Sequence, residues 1–167
     1  MEYHPFEPFV SEVSSVLILG SFPGKESTQQ LRKDDWFYNS KRNQFWKILE
    51  MVYKQELSTS AAKKILFTNN RIAVTDIIVS CERRDNSNSD QNLTNKEYNW
   101  QCISSILAGN AISRILFTSK SVYREFIHHF DFPKDIRLIV LPSPSPRYAR
   151  LSLVQKSEIY KKYMPSY

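Results

Sequence analysis

The apolar run Val16-Leu17-Ile18-Leu19 ends in the loop Gly20-Ser21-Phe22-Pro23-Gly24, whose two glycines are among only three in 167 residues. A chain so poor in glycine has few positions where the backbone can turn sharply or be closely approached, and two of them bracket one loop. A short leucine and β-branched run that stops at a Gly/Pro loop predicts a buried parallel strand delivering the chain to a sheet edge. Open α/β sheets hold their ligands at such edges. The functional site is expected to begin here.

Three further runs, Ile72 to Val79, Ile112 to Thr118 and Ile136 to Leu141, are nearly continuous in apolar residues, as buried parallel strands are. Helical patterns separate them. Phe45, Ile48, Leu49 and Val52 recur at helical spacing, and Thr94-Asn95-Lys96-Glu97 reads as a capping box ahead of Trp100, Ile103, Ile106 and Leu107, with Gly109 closing that helix. Val122, Tyr123, Phe126, Ile127 and Phe130 predict a helix opened by Ser119 or Ser121, and Leu153 to Tyr163 a final one. The alternation predicts an α/β fold, a three-layer αβα sandwich with a four-stranded, mainly parallel central sheet. Residues 1–167 carry no repeat, low-complexity tract or linker and read as one domain.

Lysine and arginine total 23 against 17 acidic residues, a net charge of +6, which favours an anionic partner such as nucleic acid. Three long connections, Gly20 to Asn43, Cys81 to Leu93 and Pro142 to Arg150, follow predicted strand ends and should meet on one edge of the sheet. They carry Lys25, Arg32, Lys33, Lys41, Arg42, Arg83, Arg84, Arg147 and Arg150, a basic rim suited to a phosphate backbone. Lys63, Lys64, Lys161 and Lys162 lie elsewhere, and charge spread for solubility is the alternative. Cys81 and Cys102 are too few for a disulfide framework, an iron–sulfur cluster or a structural zinc. His4, His128 and His129 have no tetrahedral ligand spacing, so no metal is expected. Neither a signal-peptide pattern nor a membrane-length apolar window is present, and a soluble cytoplasmic protein is expected.

The Gly20 loop fails the phosphate-loop template, having three residues between its glycines and Glu26 after Lys25; dinucleotide and serine-hydrolase glycine motifs are absent. Leu17-Ile18-Leu19-Gly20-Ser21-Phe22-Pro23-Gly24 instead resembles the first motif of the uracil-DNA glycosylase superfamily. Phe37-Tyr38-Asn39-Ser40-Lys41-Arg42-Asn43-Gln44-Phe45-Trp46 is similar to the Arg-Asn-x-Phe-Trp helix entry of its mismatch-type and hypoxanthine branches. Asp76-Ile77, Ser80-Cys81-Glu82-Arg83, Ser89-Asp90 and Leu141-Pro142-Ser143-Pro144-Ser145-Pro146 resemble the hypoxanthine (deoxyinosine) branch in order and spacing. Departures are Ser40-Lys41, where the branch usually has His-Pro, and Arg147-Tyr148, where it has small or amide residues.

The resemblance implies a monofunctional base-flipping enzyme that hydrolyses the N-glycosidic bond of a deaminated base, most readily hypoxanthine, with uracil in mismatches the nearest rival. It implies DNA as partner, no cofactor, no metal, and a monomer. Hydrolysis builds positive charge on the sugar and negative charge on the departing base, so a polar group must hold water. Phe22 stands where many members of the superfamily place Asp, Glu or Asn, and the hypoxanthine branch turns instead to the asparagine that is here Asn43.

Asn43 also suits the N-cap of the helix it precedes. Gly20, Ser21, Phe22 and Pro23 would line the base site. Tyr38 would stack on the extruded base with Phe22 opposite, or both would simply fill the core. Ser143, Ser145 and Arg147 would grip phosphates, with Pro144, Arg147 or Tyr148 entering the minor groove, or the prolines would form only a rigid turn. A non-catalytic DNA-binding module on the same fold, or a small phosphate or nucleotide binder at the Gly20 loop, remain the readings from other classes.

Overall fold

A computed structural model describes residues 1–167. Its elements are β1 (Glu2–Tyr3), β2 (Val16–Gly20), α1 (Lys25–Gln29), α2 (Phe45–Tyr53), α3 (Ser60–Asn69), β3 (Ile72–Asp76), β4 (Ile78–Arg83), β5 (Leu93–Tyr98), α4 (Trp100–Gly109), β6 (Arg114–Phe117), α5 (Lys120–His129), β7 (Arg137–Val140) and α6 (Leu153–Tyr163). Strands β3-β2-β6-β7 form a four-stranded sheet whose neighbours all pair in parallel. Every residue of β2 is buried, because both faces of this central strand are covered.

The period of two along β2 divides the core. Val16 and Ile18 pack into a cluster with Ile48 and Leu49 of α2, Leu66 and Phe67 of α3, and Tyr160 of α6. Leu17 and Leu19 face Ile103 and Ile106 of α4 and Val122 and Phe126 of α5. Helix, sheet and helix thus form the three layers anticipated. The chain leaves β2 toward β3 on one side and later places β6 on the other, so the carboxyl ends of these strands open at a point where strand order reverses.

Two local expectations are corrected. The run Ile72 to Val79 is two strands: β3 stays in the parallel sheet, whereas β4 starts after Ile77 and joins β1 and β5 in a separate antiparallel sheet. Thr94-Asn95-Lys96-Glu97 lies inside β5 and caps nothing; α4 starts after Asn99. Helix α3, capped by the Thr59 hydroxyl accepting from Ala62 N–H, had no counterpart in the sequence reading. Gly109 closes α4, as expected, although with no positive φ it supplies no left-handed cap. Ser119 opens α5 by accepting from Val122 N–H, as expected, and Ser152 with Gln155 forms a capping box for α6.

Candidate active site

Gly20 and Asp76 are register partners at the carboxyl ends of β2 and β3. A Cβ on Gly20 would collide with Asp76 Oδ1 and come within 2.5 Å of Tyr38 Oη. Since no glycine has positive φ, Gly20 serves close approach rather than a special turn. Tyr38 is itself held left-handed at φ 59°, an uncommon conformation for an aromatic residue, and it aims its hydroxyl at Asp76 Oδ1, 3.4 Å away. Burial, then the neighbouring Asp76 charge, raises the Tyr38 pKa well above its ordinary value, so the phenol remains a donor.

The other Asp76 oxygen is held from an unforeseen direction. His4 Nε2 donates to Asp76 Oδ2 at 2.9 Å, while Nδ1 lies 3.0 Å from Phe6 O and 3.2 Å from Phe6 N, so the Phe6 backbone holds the far side of the ring. The two side chains are only 9% and 4% exposed. The pairing follows from β1, which lies antiparallel to β4 with Tyr3 opposite Ser80, and from packing of the imidazole against Phe22 and Phe37. His4 and Asp76 are 72 positions apart, and no local pattern in the sequence announces the contact.

Above this floor a cavity is lined by Phe6, by Phe22, Pro23, Gly24 and Ser27 from the first loop and α1, by Tyr38, Asn39, Ser40 and Asn43, and by Asp76. The Asn43 Oδ1 accepts the Phe45 N–H at 2.9 Å, closing a turn two residues long, while Gln44 occupies the cap position without a side-chain bond to the backbone of the helix. Asn43 therefore supports the start of α2 and borders the cavity at once, with a second oxygen lone pair and the amide N–H groups uncommitted. The Tyr38 ring centre lies 4.3 Å from that of Phe45 at 39°, and Tyr38 and Phe22 both line the cavity.

Not every anticipated residue reaches the cavity wall. Ser21 is buried beside it and its hydroxyl has no hydrogen-bond partner. Gly20 lies beneath, as the space into which Asp76 and Tyr38 fit. Ser143, Ser145 and Arg147 occupy the adjoining loop, joined to the start of α2 by Gln44 N–H donating to Pro144 O at 2.8 Å. Their hydroxyls accept from backbone, Ser143 Oγ from Ser145 N–H and Ser145 Oγ from Arg147 N–H, which leaves both O–H protons free to donate outward. Pro144 is buried and offers no wedge, whereas Arg147 and Tyr148 are exposed.

The basic rim is smaller than its sequence count. Arg83 is 3% exposed, pairs with Glu2 at 3.1 Å and donates to Pro23 O at 2.9 Å, so it braces the first loop instead of facing solvent. Arg32, Lys33, Lys41, Arg42, Arg84, Arg147 and Arg150 are exposed. The 84–92 segment is clipped to the first loop through Asn88, whose Oδ1 accepts from Lys25 N–H and whose amide donates to Glu26. Within that segment Asp90 is pushed up to about 6, first by burial and then by the Asp76 and Glu125 charges.

The uracil DNA glycosylase superfamily model matches residues 7–165. A curated hypoxanthine DNA glycosylase from Methanosarcina barkeri (strain Fusaro / DSM 804) is 29% identical over 122 residues, 72% of this chain and 73% of that protein. The solution NMR structure of a candidate uracil DNA glycosylase from Methanosarcina acetivorans superposes with a TM-score of 0.64 at 18% identity, over 97% of this chain and 98% of that one. That likeness bears on the fold, and the family match spans the Gly20 loop, the Asn43 segment, Asp76 and the Ser-Pro loop. The chain belongs to the uracil DNA glycosylase superfamily and is a DNA glycosylase.

Proposed function

We propose that this glycosylase removes deaminated bases from DNA, hypoxanthine first and uracil second, by hydrolysis at Asn43 of a base extruded into the cavity between Phe22 and Tyr38. The observation that carries the proposal is Asp76: a 4%-exposed carboxylate at the cavity floor, with Oδ2 held by His4 and only a 3.4 Å contact from Tyr38 at Oδ1. A buried acceptor that is half satisfied favours an N–H donor and repels another lone pair. Adenine and cytosine present a ring-nitrogen lone pair at the centre of their pairing edge. Deamination turns that atom into N–H, as in hypoxanthine and uracil. One carboxylate thus distinguishes product from parent, and a site whose buried polar group would be left unpaired rejects the wrong ligand by roughly 10⁴-fold. The likeness to the archaeal hypoxanthine enzyme supports placing hypoxanthine first.

In the reaction the C1′–N bond breaks with its electron pair passing to the base, and a water oxygen bonds to C1′ as positive charge develops on the sugar. A carboxamide is too weak a base to deprotonate water beforehand. Asn43 instead orients the water through its free oxygen lone pair, and the proton leaves once the new C–O bond has formed. The base takes a proton from solvent on release.

Exposed Arg147, Lys41 and Arg42 with the free Ser143 and Ser145 hydroxyls suit phosphates on either side of the flipped nucleotide. The test is a panel of duplexes carrying inosine, uracil, xanthine, adenine or cytosine at one position, followed by alkaline cleavage of abasic sites. Scission at inosine and uracil with none at adenine and cytosine is the expected result. Salt-sensitive duplex binding without scission at any base would refute the proposal.

A further inference from the structure

Two lysines are buried where a charge has no evident reason to be: Lys63 of α3 is 2% exposed and Lys156 of α6 is 1% exposed. Neither forms an ion pair with a carboxylate. Each instead holds one end of the segment that contains Asn43. Lys63 Nζ donates to Asn39 Oδ1 at 2.6 Å, and Lys156 Nζ donates to Gln44 Oε1 at 2.9 Å. Lys156 reaches further, donating a second bond to Ser145 O at 3.0 Å and lying 5.5 Å from the centre of the Tyr148 ring.

One ammonium therefore ties the Ser-Pro loop, with its exposed Arg147 and Tyr148, to the residue beside the proposed water-holder. A second bridge runs through Gln44 N–H to Pro144 O. Burying an ammonium against neutral acceptors is costly, and burial holds the Lys156 pKa below its ordinary value. A methionine of similar length would fill the space without that cost, so packing does not account for the charge.

We infer that Lys156 is a positioning residue that couples engagement of DNA by the Ser143–Tyr148 loop to the placement of Asn43, through Gln44. The inference rests on the proposed role of Asn43, and the test keeps the two apart. Lys156→Met, Lys156→Arg, Gln44→Ala, the double variant Gln44→Ala/Lys156→Met, and Asn43→Ala are compared on an inosine duplex carrying 2-aminopurine next to the lesion. Fluorescence reports base extrusion, and single-turnover cleavage at saturating enzyme reports the chemical step.

Lys156→Met is expected to melt at or above the wild-type temperature yet cleave at least tenfold more slowly, with a weaker extrusion signal and duplex affinity changed less than threefold. Lys156→Arg should recover part of the rate. Gln44→Ala should show the same defect, and the double variant should be no worse than either single change, as for two residues of one relay. If Lys156→Met fails to fold, Gln44→Ala and Lys156→Arg decide alone. Wild-type extrusion and cleavage in folded Lys156→Met or Gln44→Ala overturn the inference while an inactive Asn43→Ala leaves the site assignment standing. Full activity in Asn43→Ala removes the water-holder, and with it the coupling to Asn43.

Discussion

Replacing Asn43 separates two roles that share one side chain. Its Oδ1 accepts the Phe45 N–H at 2.9 Å, so Asn43→Ala frees one backbone donor at the start of α2. Losing such a bond costs about 1 kcal/mol, which lowers Tm by roughly 2–4 °C in a chain of this size. The helix itself persists, because Phe45, Trp46, Ile48 and Leu49 are buried against α3, α6 and the sheet. If the turn were all that Asn43 provided, excision would be unchanged at temperatures well below Tm. If its second lone pair orients water, single-turnover excision of hypoxanthine falls by about 10²–10³-fold, the effect of removing one preorganised polar group at a reacting centre.

Asn43→Asp sharpens the comparison. Aspartate makes the same turn, so stability should match wild type to within about 0.5 kcal/mol, while the altered charge near C1′ changes the rate. Melting curves and single-turnover assays on the three proteins suffice. A folded Asn43→Ala variant that cleaves at more than half the wild-type rate would refute the argument.

Other consequences of the geometry can be checked singly. Gly20→Ala must displace Asp76 and Tyr38 from the cavity floor, so it should destabilise by about 1–3 kcal/mol and abolish discrimination between inosine and adenine duplexes. His4→Ala leaves Asp76 Oδ2 without its donor, and thermal melting should show a loss of about 1–3 kcal/mol together with slower excision. Asp90 is raised from 3.8 to about 6 in the folded protein, so ionising it opposes folding: the neutral acid's advantage is complete below pH 4 and vanishes as pH rises through 6. Asp90→Asn should therefore gain up to about 3 kcal/mol over wild type at pH 7 and nothing at pH 4, read by denaturant unfolding at both values. Equal stabilities at pH 7 would contradict that sign.

The parallel sheet was legible because a strand buried on both faces must be apolar throughout, and Val16 to Leu19 or Ile115 to Phe117 can hardly be read otherwise. Reading failed where one pattern served two structures. Thr94-x-x-Glu97 satisfies a capping rule, yet the alternation of buried or half-buried Leu93, Thr94, Lys96 and Tyr98 with exposed Asn95 and Glu97 suits a strand with one face in water. Helix α3 escaped notice because its buried residues are the lysine Lys63 together with Leu66 and Phe67, and Ile65 is exposed, which blurs the apolar stripe. At the site, Asn43, Phe22, Pro23 and Tyr38 stood in recognisable segments, and all four border the cavity. His4, Lys63 and Lys156 could not be found this way, since each acts through a partner remote in sequence. Arg83 was misjudged for the converse reason, its charge being consumed by Glu2.

The missing Cβ at Gly20 makes positions 20, 38 and 76 a single interlocking volume rather than three independent choices. Among relatives, any side chain appearing at the first should be accompanied by a shorter or redirected one at one of the other two. Drift at this spot would then proceed by paired replacements, and a lineage that changed only one of the three would have had to rebuild the floor on which the base is read.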